Sequence, residues 1–131
     1  MTLDTIQSCF DHPPPIHLNA ELAVCFVLSV LLAQDTYAAA LIQHLVQSYP
    51  AYRLSKPNLY KALTFLETEG AVLSYWQKVA GRGRPRRMFT LVPPHREPAA
   101  ALVQRWHAYM QQHPYPADWS TNRDRYAARS N

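Results

Sequence analysis

The sequence predicts a mainly α-helical domain with one small β-hairpin, an α+β fold. Three observations carry this reading. Residues 55–69 hold the start signal, the apolar period and the stop signal of a single helix. Directly after it, two strand-like runs flank Gly81-Arg82-Gly83-Arg84-Pro85, a loop rich in glycine and arginine. On either side, residues 20–50 and 98–112 show apolar stretches with helical spacing. A chain of 131 residues suits one domain with tails and can bury a core without disulfides or metals.

The chain begins with an N-terminal arm over 1–17. Leu3, Ile6 and Phe10 are its apolar side chains, and Pro13-Pro14-Pro15 ends it, since successive prolines cannot lie inside a helix. Two readings stay open for the arm: loose, or docked through Phe10. Asn19 is placed to cap the first long helix, with Glu21 in the first turn, where the helix dipole favours an acid. From 22 to 33 only Ser29 is polar. A helix apolar all round must be covered on all sides, so a second subunit is expected over part of it; the competing reading is the central helix of a single chain. Thr36 is expected to cap a helix over 37–49. There Tyr37, Leu41 and Leu45 share a face, flanked by Ala38, Ile42 and Val46, while Gln43, His44 and Gln47 face out. Pro50 closes it.

Ser55 caps the next helix, and Pro57 sits in its first turn, where a missing N–H costs little. Leu59, Ala62, Leu63 and Leu66 follow the i, i+3, i+4, i+7 pattern of a core face. Opposite them lie Pro57, Lys61, Thr64 and Thr68, flanked by Lys56 and Tyr60. Gly70 supplies the stop. Residues 72–78 read as a strand and 80–85 as an open loop. Residues 87–91 form the return strand, with Phe89 and Leu91 toward the core. Pro93-Pro94 breaks the strand, and Pro98 opens a last helix to about 112. Ala99, Leu102, Val103, Trp106 and Met110 share one of its stripes. The tail beyond 113 holds Trp119, Tyr126 and three arginines, and order is expected to fade from 121. Helix, turn, helix and basic hairpin in this order make a winged helix-turn-helix. It would span 18–96, with a C-terminal dimerisation helix at 97–113 and a tail at 114–131.

Charge is divided unevenly. Residues 1–50 hold four acids and no Lys or Arg, whereas residues 51–96 hold nine bases against Glu67 and Glu69. A basic middle third on a chain of net charge +4 points to a polyanion-binding face. Duplex DNA would take phosphate contacts from Lys56, Lys61, Arg82, Arg84, Arg86 and Arg87, while Tyr60, Lys61 and Thr64 approach base edges. Ser55 and Asn58 complete the DNA-binding set. A homodimer interface is expected from Leu22, Phe26 and Val30 with Leu102, Val103, Trp106 and Met110.

Other functions weigh less. Cys9 and Cys25 have no metal-ligand spacing, nor do the six histidines. No nucleophile or carboxylate pair stands in a catalytic pattern, and the loop at 81–87 lacks both the P-loop and the dinucleotide fingerprint. The chain is therefore expected to be no enzyme and to need no cofactor or metal. Without a signal peptide or an apolar run of roughly 20 residues, a cytoplasmic location without membrane contact is expected. Two alternatives to DNA binding stay open. One is a winged-helix protein-interaction module working through its apolar faces. The other is a sensor that takes a small aromatic effector at the dimer interface near Trp106.

Three motifs carry a resemblance. Leu59-Tyr60-Lys61-Ala62-Leu63, Leu66-Glu67-Thr68-Glu69-Gly70 and Gly83-Arg84-Pro85-Arg86-Arg87-Met88-Phe89-Thr90-Leu91 stand in order. They resemble the recognition helix and wing of the PadR-type transcriptional regulators, over about residues 20–110. The resemblance implies a homodimer joined by its first and last helices and two winged helices on a palindromic operator. It further implies that Tyr60 and Lys61 meet DNA from the helix, and Arg84 and Arg86 from the wing. The chain departs from the family at Asp35-Thr36-Tyr37, where a His-Gly-Tyr turn is usual. It departs again at Leu91-Val92-Pro93-Pro94-His95, where Leu-Thr-x-x-Gly is usual, so the entry to the last helix should differ.

Overall fold

The computed structural model describes residues 1–116 apart from Val79 and Arg82. The expectations for Arg82 and for the tail from 117 therefore lie outside the described residues. The elements are α1 (Leu3–Ser8), α2 (Ala20–Leu31), α3 (Ala38–Ser48), α4 (Lys56–Thr68), β1 (Val72–Gln77), β2 (Arg86–Leu91) and α5 (Arg96–Gln112). Short 3-10 turns precede α2 at Cys9–Asp11 and α5 at Pro93–His95. This is the helical, hairpin-bearing winged-helix architecture that the sequence predicts.

α2 is the hub. It packs against α4 and α5, with α1, α3 and β2 closing the remaining sides. Asn19 caps it, its side-chain oxygen accepting from the Leu22 N–H at 2.8 Å. At the other end Arg96 donates to the Leu32 carbonyl at 2.8 Å, placing a cation on the negative pole of the helix. All of residues 22–28 are buried by the chain itself. The second subunit expected over this helix is therefore not needed. The seven side chains assigned to a dimer interface, Leu22, Phe26, Val30, Leu102, Val103, Trp106 and Met110, lie in the single-chain core, and the most open of them, Leu102, is 8% exposed.

The arm docks. Thr2 and Thr5 cap α1 reciprocally, the Thr5 N–H donating to Thr2 Oγ1 and the Thr2 N–H to Thr5 Oγ1. Ile6 is buried. Phe10 packs on Tyr109 with ring centroids 5.2 Å apart, and the Arg105 guanidinium lies 5.0 Å from the centroid of the Phe10 ring. Tyr109 donates its hydroxyl to the His12 carbonyl, and Tyr52 donates to the His113 carbonyl at 2.7 Å, so both ends of the described chain are tied to the core. Within that core Tyr49 meets Trp106 edge-on at 5.8 Å. Among the described residues the Trp106 indole N–H meets no acceptor in good hydrogen-bond geometry.

β1 and β2 form an antiparallel pair in which Val72 faces Leu91, Ser74 faces Phe89 and Trp76 faces Arg87. Thr36 adds a further rung on the far edge of β2, exchanging hydrogen bonds of 3.2 and 2.7 Å with Phe89. Thr36 thus serves the sheet and does not cap a helix. α3 starts one residue later than expected, behind Tyr37, which offers no side-chain cap. The last helix likewise starts at Arg96 rather than Pro98, which falls in its first turn. Among the described residues no helix is long and apolar enough to cross a membrane.

Candidate nucleic-acid interface

The candidate surface grows from α4. Ser55 caps it by accepting from the Asn58 N–H at 3.3 Å, and Pro57 occupies the first turn. Leu59, Ala62, Leu63 and Leu66 are buried against α2. Helical phase then forces Lys56, Tyr60, Lys61 and Thr64 outward, and all four are exposed. At the C-terminal end Gly70 has φ +75°. It donates its N–H to the Glu67 carbonyl while Ala71 donates to Leu66, a paired bonding pattern that ends the helix and turns the chain into β1.

The hairpin lies beside this helix. Arg84 is exposed and has no bonded partner among the described residues. The next two arginines are held. Arg86 is half-buried with its guanidinium 3.9 Å from the centroid of the Tyr37 ring. Arg87 donates from one nitrogen to both carboxylate oxygens of Glu67 on α4, at 3.0 and 3.1 Å. With 44% and 32% of the two side chains exposed, this ion pair stabilises by no more than about 1 kcal/mol. Its effect is chiefly to fix where the cation sits. Tyr75 on β1 donates to Asp35 at 2.7 Å, tying the hairpin to the α2–α3 turn. That hydrogen bond holds the Tyr75 hydroxyl pKa above its ordinary value.

The predicted DNA-binding residues therefore separate. Lys56, Tyr60, Lys61, Thr64 and Arg84 stand on the surface. Asn58 does not project freely: its side-chain amide donates to the Leu18 carbonyl at 3.0 Å, anchoring α4 to the segment before α2. Ser55 is spent on the cap. Two residues not assigned to the site by sequence reasoning join it. Between α4 and the hairpin lies a depression of about 320 Å³, and Trp76 and Tyr37 line it together with Tyr60, Arg86 and Arg87. The strand register would have found Trp76. Counting forward from Val72 in steps of two puts it on the face that carries α4, beyond the end of the core. Among the described residues no group of acidic, His or Cys side chains could hold a metal ion.

The model of the transcriptional regulator PadR-like family matches residues 27–96. No curated protein matches the sequence significantly. Among solved structures, the circadian clock associated protein Pex from Anabaena is 42% identical. The match covers 85% of this chain and 96% of that one, with a TM-score of 0.70. Pex from Synechococcus sp. is 48% identical over 84% of this chain and 98% of that one, with a TM-score of 0.69. A PadR family transcription regulator from Clostridium difficile, 19% identical with a TM-score of 0.56 over 69% of this chain and 95% of that one, shares the fold. The matched span contains α4, both strands and the arginines between them, and on these grounds the chain belongs to the PadR-like family of transcriptional regulators.

Proposed function

We propose that the protein is a sequence-specific regulator that binds double-stranded DNA and represses transcription, acting as a homodimer on a palindromic operator. In this reading α4 enters the major groove, and the hairpin lies on the adjacent backbone or minor groove. The observation that carries it is the shared exposure of Lys56, Tyr60, Lys61 and Thr64 beside the arginine-bearing hairpin. The dimer and the palindrome rest on the family resemblance. Repression is supported in the same way.

A binding titration against random and selected duplexes tests the reading. Arg84→Ala should weaken binding to every duplex about equally and lower the salt slope by about one, because it removes one phosphate contact. Lys61→Ala should change which operator is preferred. If neither variant moves the titration, the interface is wrongly placed. A protein-interaction module would instead hold its partner with little loss as salt rises.

A further inference from the structure

Trp76 stands out on the folded surface. It is 69% exposed, the most open of the large apolar side chains described. Water contact of that extent gives an indole no stability, and no core packing explains its place. Its position in the sheet is informative. It faces Arg87 across the ladder, on the same side as the buried Val72 and Phe89, so it continues the face on which α4 lies. Tyr60, 48% exposed and on the outward side of α4, lines the same depression. Two flat aromatic rings therefore border one cleft.

Phe89, the start of α3 at residues 37–39 and two arginines complete the lining, and both arginines are held. Arg86 is stacked on Tyr37, and Arg87 is fixed by Glu67. The cleft, about 320 Å³, falls at the lower end of the size range of molecular binding sites, roughly 300–1,000 Å³. Positioned guanidinium groups suit phosphate oxygens. Open aromatic faces suit the apolar side of a sugar or base. The sugar–phosphate backbone of nucleic acid presents both. A helix in the major groove and a hairpin on the neighbouring minor groove also leave one strand of the duplex to pass between them.

We infer that the cleft between α4 and the hairpin seats one deoxyribose–phosphate unit of a bound duplex, its sugar packed between Trp76 and Tyr60 and its phosphate on Arg86. The inference rests on the DNA-binding reading and adds a contact that is apolar and blind to base sequence. Trp76 fixes how the strand threads between helix and hairpin, and so the register of α4 in the groove.

The test is a salt titration of duplex binding by the full chain, with Trp76→Ala, Trp76→Phe and Arg86→Gln beside the parent. Trp76→Ala removes no charge. It should lower affinity for every duplex about tenfold while its line of log affinity against log salt stays parallel to the parent's. Trp76→Phe should recover most of that loss. Arg86→Gln should flatten the line, by about 0.9 for the one phosphate released. Thermal melting of the tryptophan variants should match the parent, since so open a side chain holds no core. A Trp76→Ala protein that binds as the parent does overturns the seat. So does a loss confined to particular sequences, because the indole would then be reading a base. If the parent itself binds no duplex, the DNA-binding reading fails first and the seat fails with it.

Discussion

Asn58 and Lys61 sit one turn apart on the same helix and have different tasks. The side chain of Lys61 projects from the surface, while that of Asn58 turns in to the Leu18 carbonyl. Removing a part-buried hydrogen bond of this kind costs about 1 kcal/mol. Asn58→Ala should therefore lower the urea midpoint and leave operator preference unchanged, which separates it from Lys61→Ala in the same assays. The sequence reading had placed both side chains at the DNA, Lys61 by helical phase and Asn58 as part of the wider set. The partner that claims Asn58 lies forty positions away, and no local pattern reports it. Cys25 shows the same scale in another way. It is fully buried, and burial pushes its thiol from 9.0 up to about 12. The folded protein then keeps a proton that the unfolded chain releases near pH 9, so this contribution is intact below pH 9 and is lost as pH rises toward 12. Native protein at pH 7.5 should leave Cys25 unlabelled by a thiol reagent, and denaturant should release it. Rapid native labelling of Cys25 would show that the core opens there.

At the scale of elements, legibility followed length and punctuation. α4 has a cap at Ser55, a proline in its first turn, a four-residue apolar stripe and a glycine stop, and the structure repeats that order. The hairpin was legible for similar reasons, with Phe89 and Leu91 buried on one face as alternation requires. α1 was not legible. At six residues it is too short to show a period, and its reciprocal Thr2–Thr5 cap uses a threonine where the usual signal is Glu or Gln. Thr36 was misread because a polar residue before a helix looks like a cap, while its backbone was needed for a rung beside Phe89. The docked arm makes its own prediction. Ile6 is 1% exposed, and Ile6→Ala should cost about 3 kcal/mol in urea unfolding, within the range for large-to-small changes in cores. A cost near zero would show that α1 rests on the domain without contributing to it. Gly70→Ala is a second element-scale change. The space around it is open, so its cost is that of φ +75° for a residue with a Cβ, roughly 1–2 kcal/mol.

At the scale of the whole molecule, the basic third of the chain is shared between building and binding. Arg53 donates to the Pro50 and Tyr52 carbonyls, and Arg96 closes α2, so neither is simply a free surface charge. Among the described residues, Lys56, Lys61, Lys78 and Arg84 carry the unengaged charge that the charge count had suggested for the whole band. The apolar helices were redistributed in a parallel way. Their stripes were read correctly, but the sequence could not say whether a mate or the same chain would cover them. α2 and α5 cover each other. A homodimer of this protein must then use surface outside that core, and the two possibilities separate in one experiment. Leu102→Ala should cost about 3 kcal/mol as a core cavity. The loss should be the same at low and high protein concentration, and the sedimenting mass of the folded variant should equal the parent's. Were Leu102 an interface residue, the same change would shift the folded protein toward monomer, and its sedimenting mass would fall below the parent's, most at low concentration.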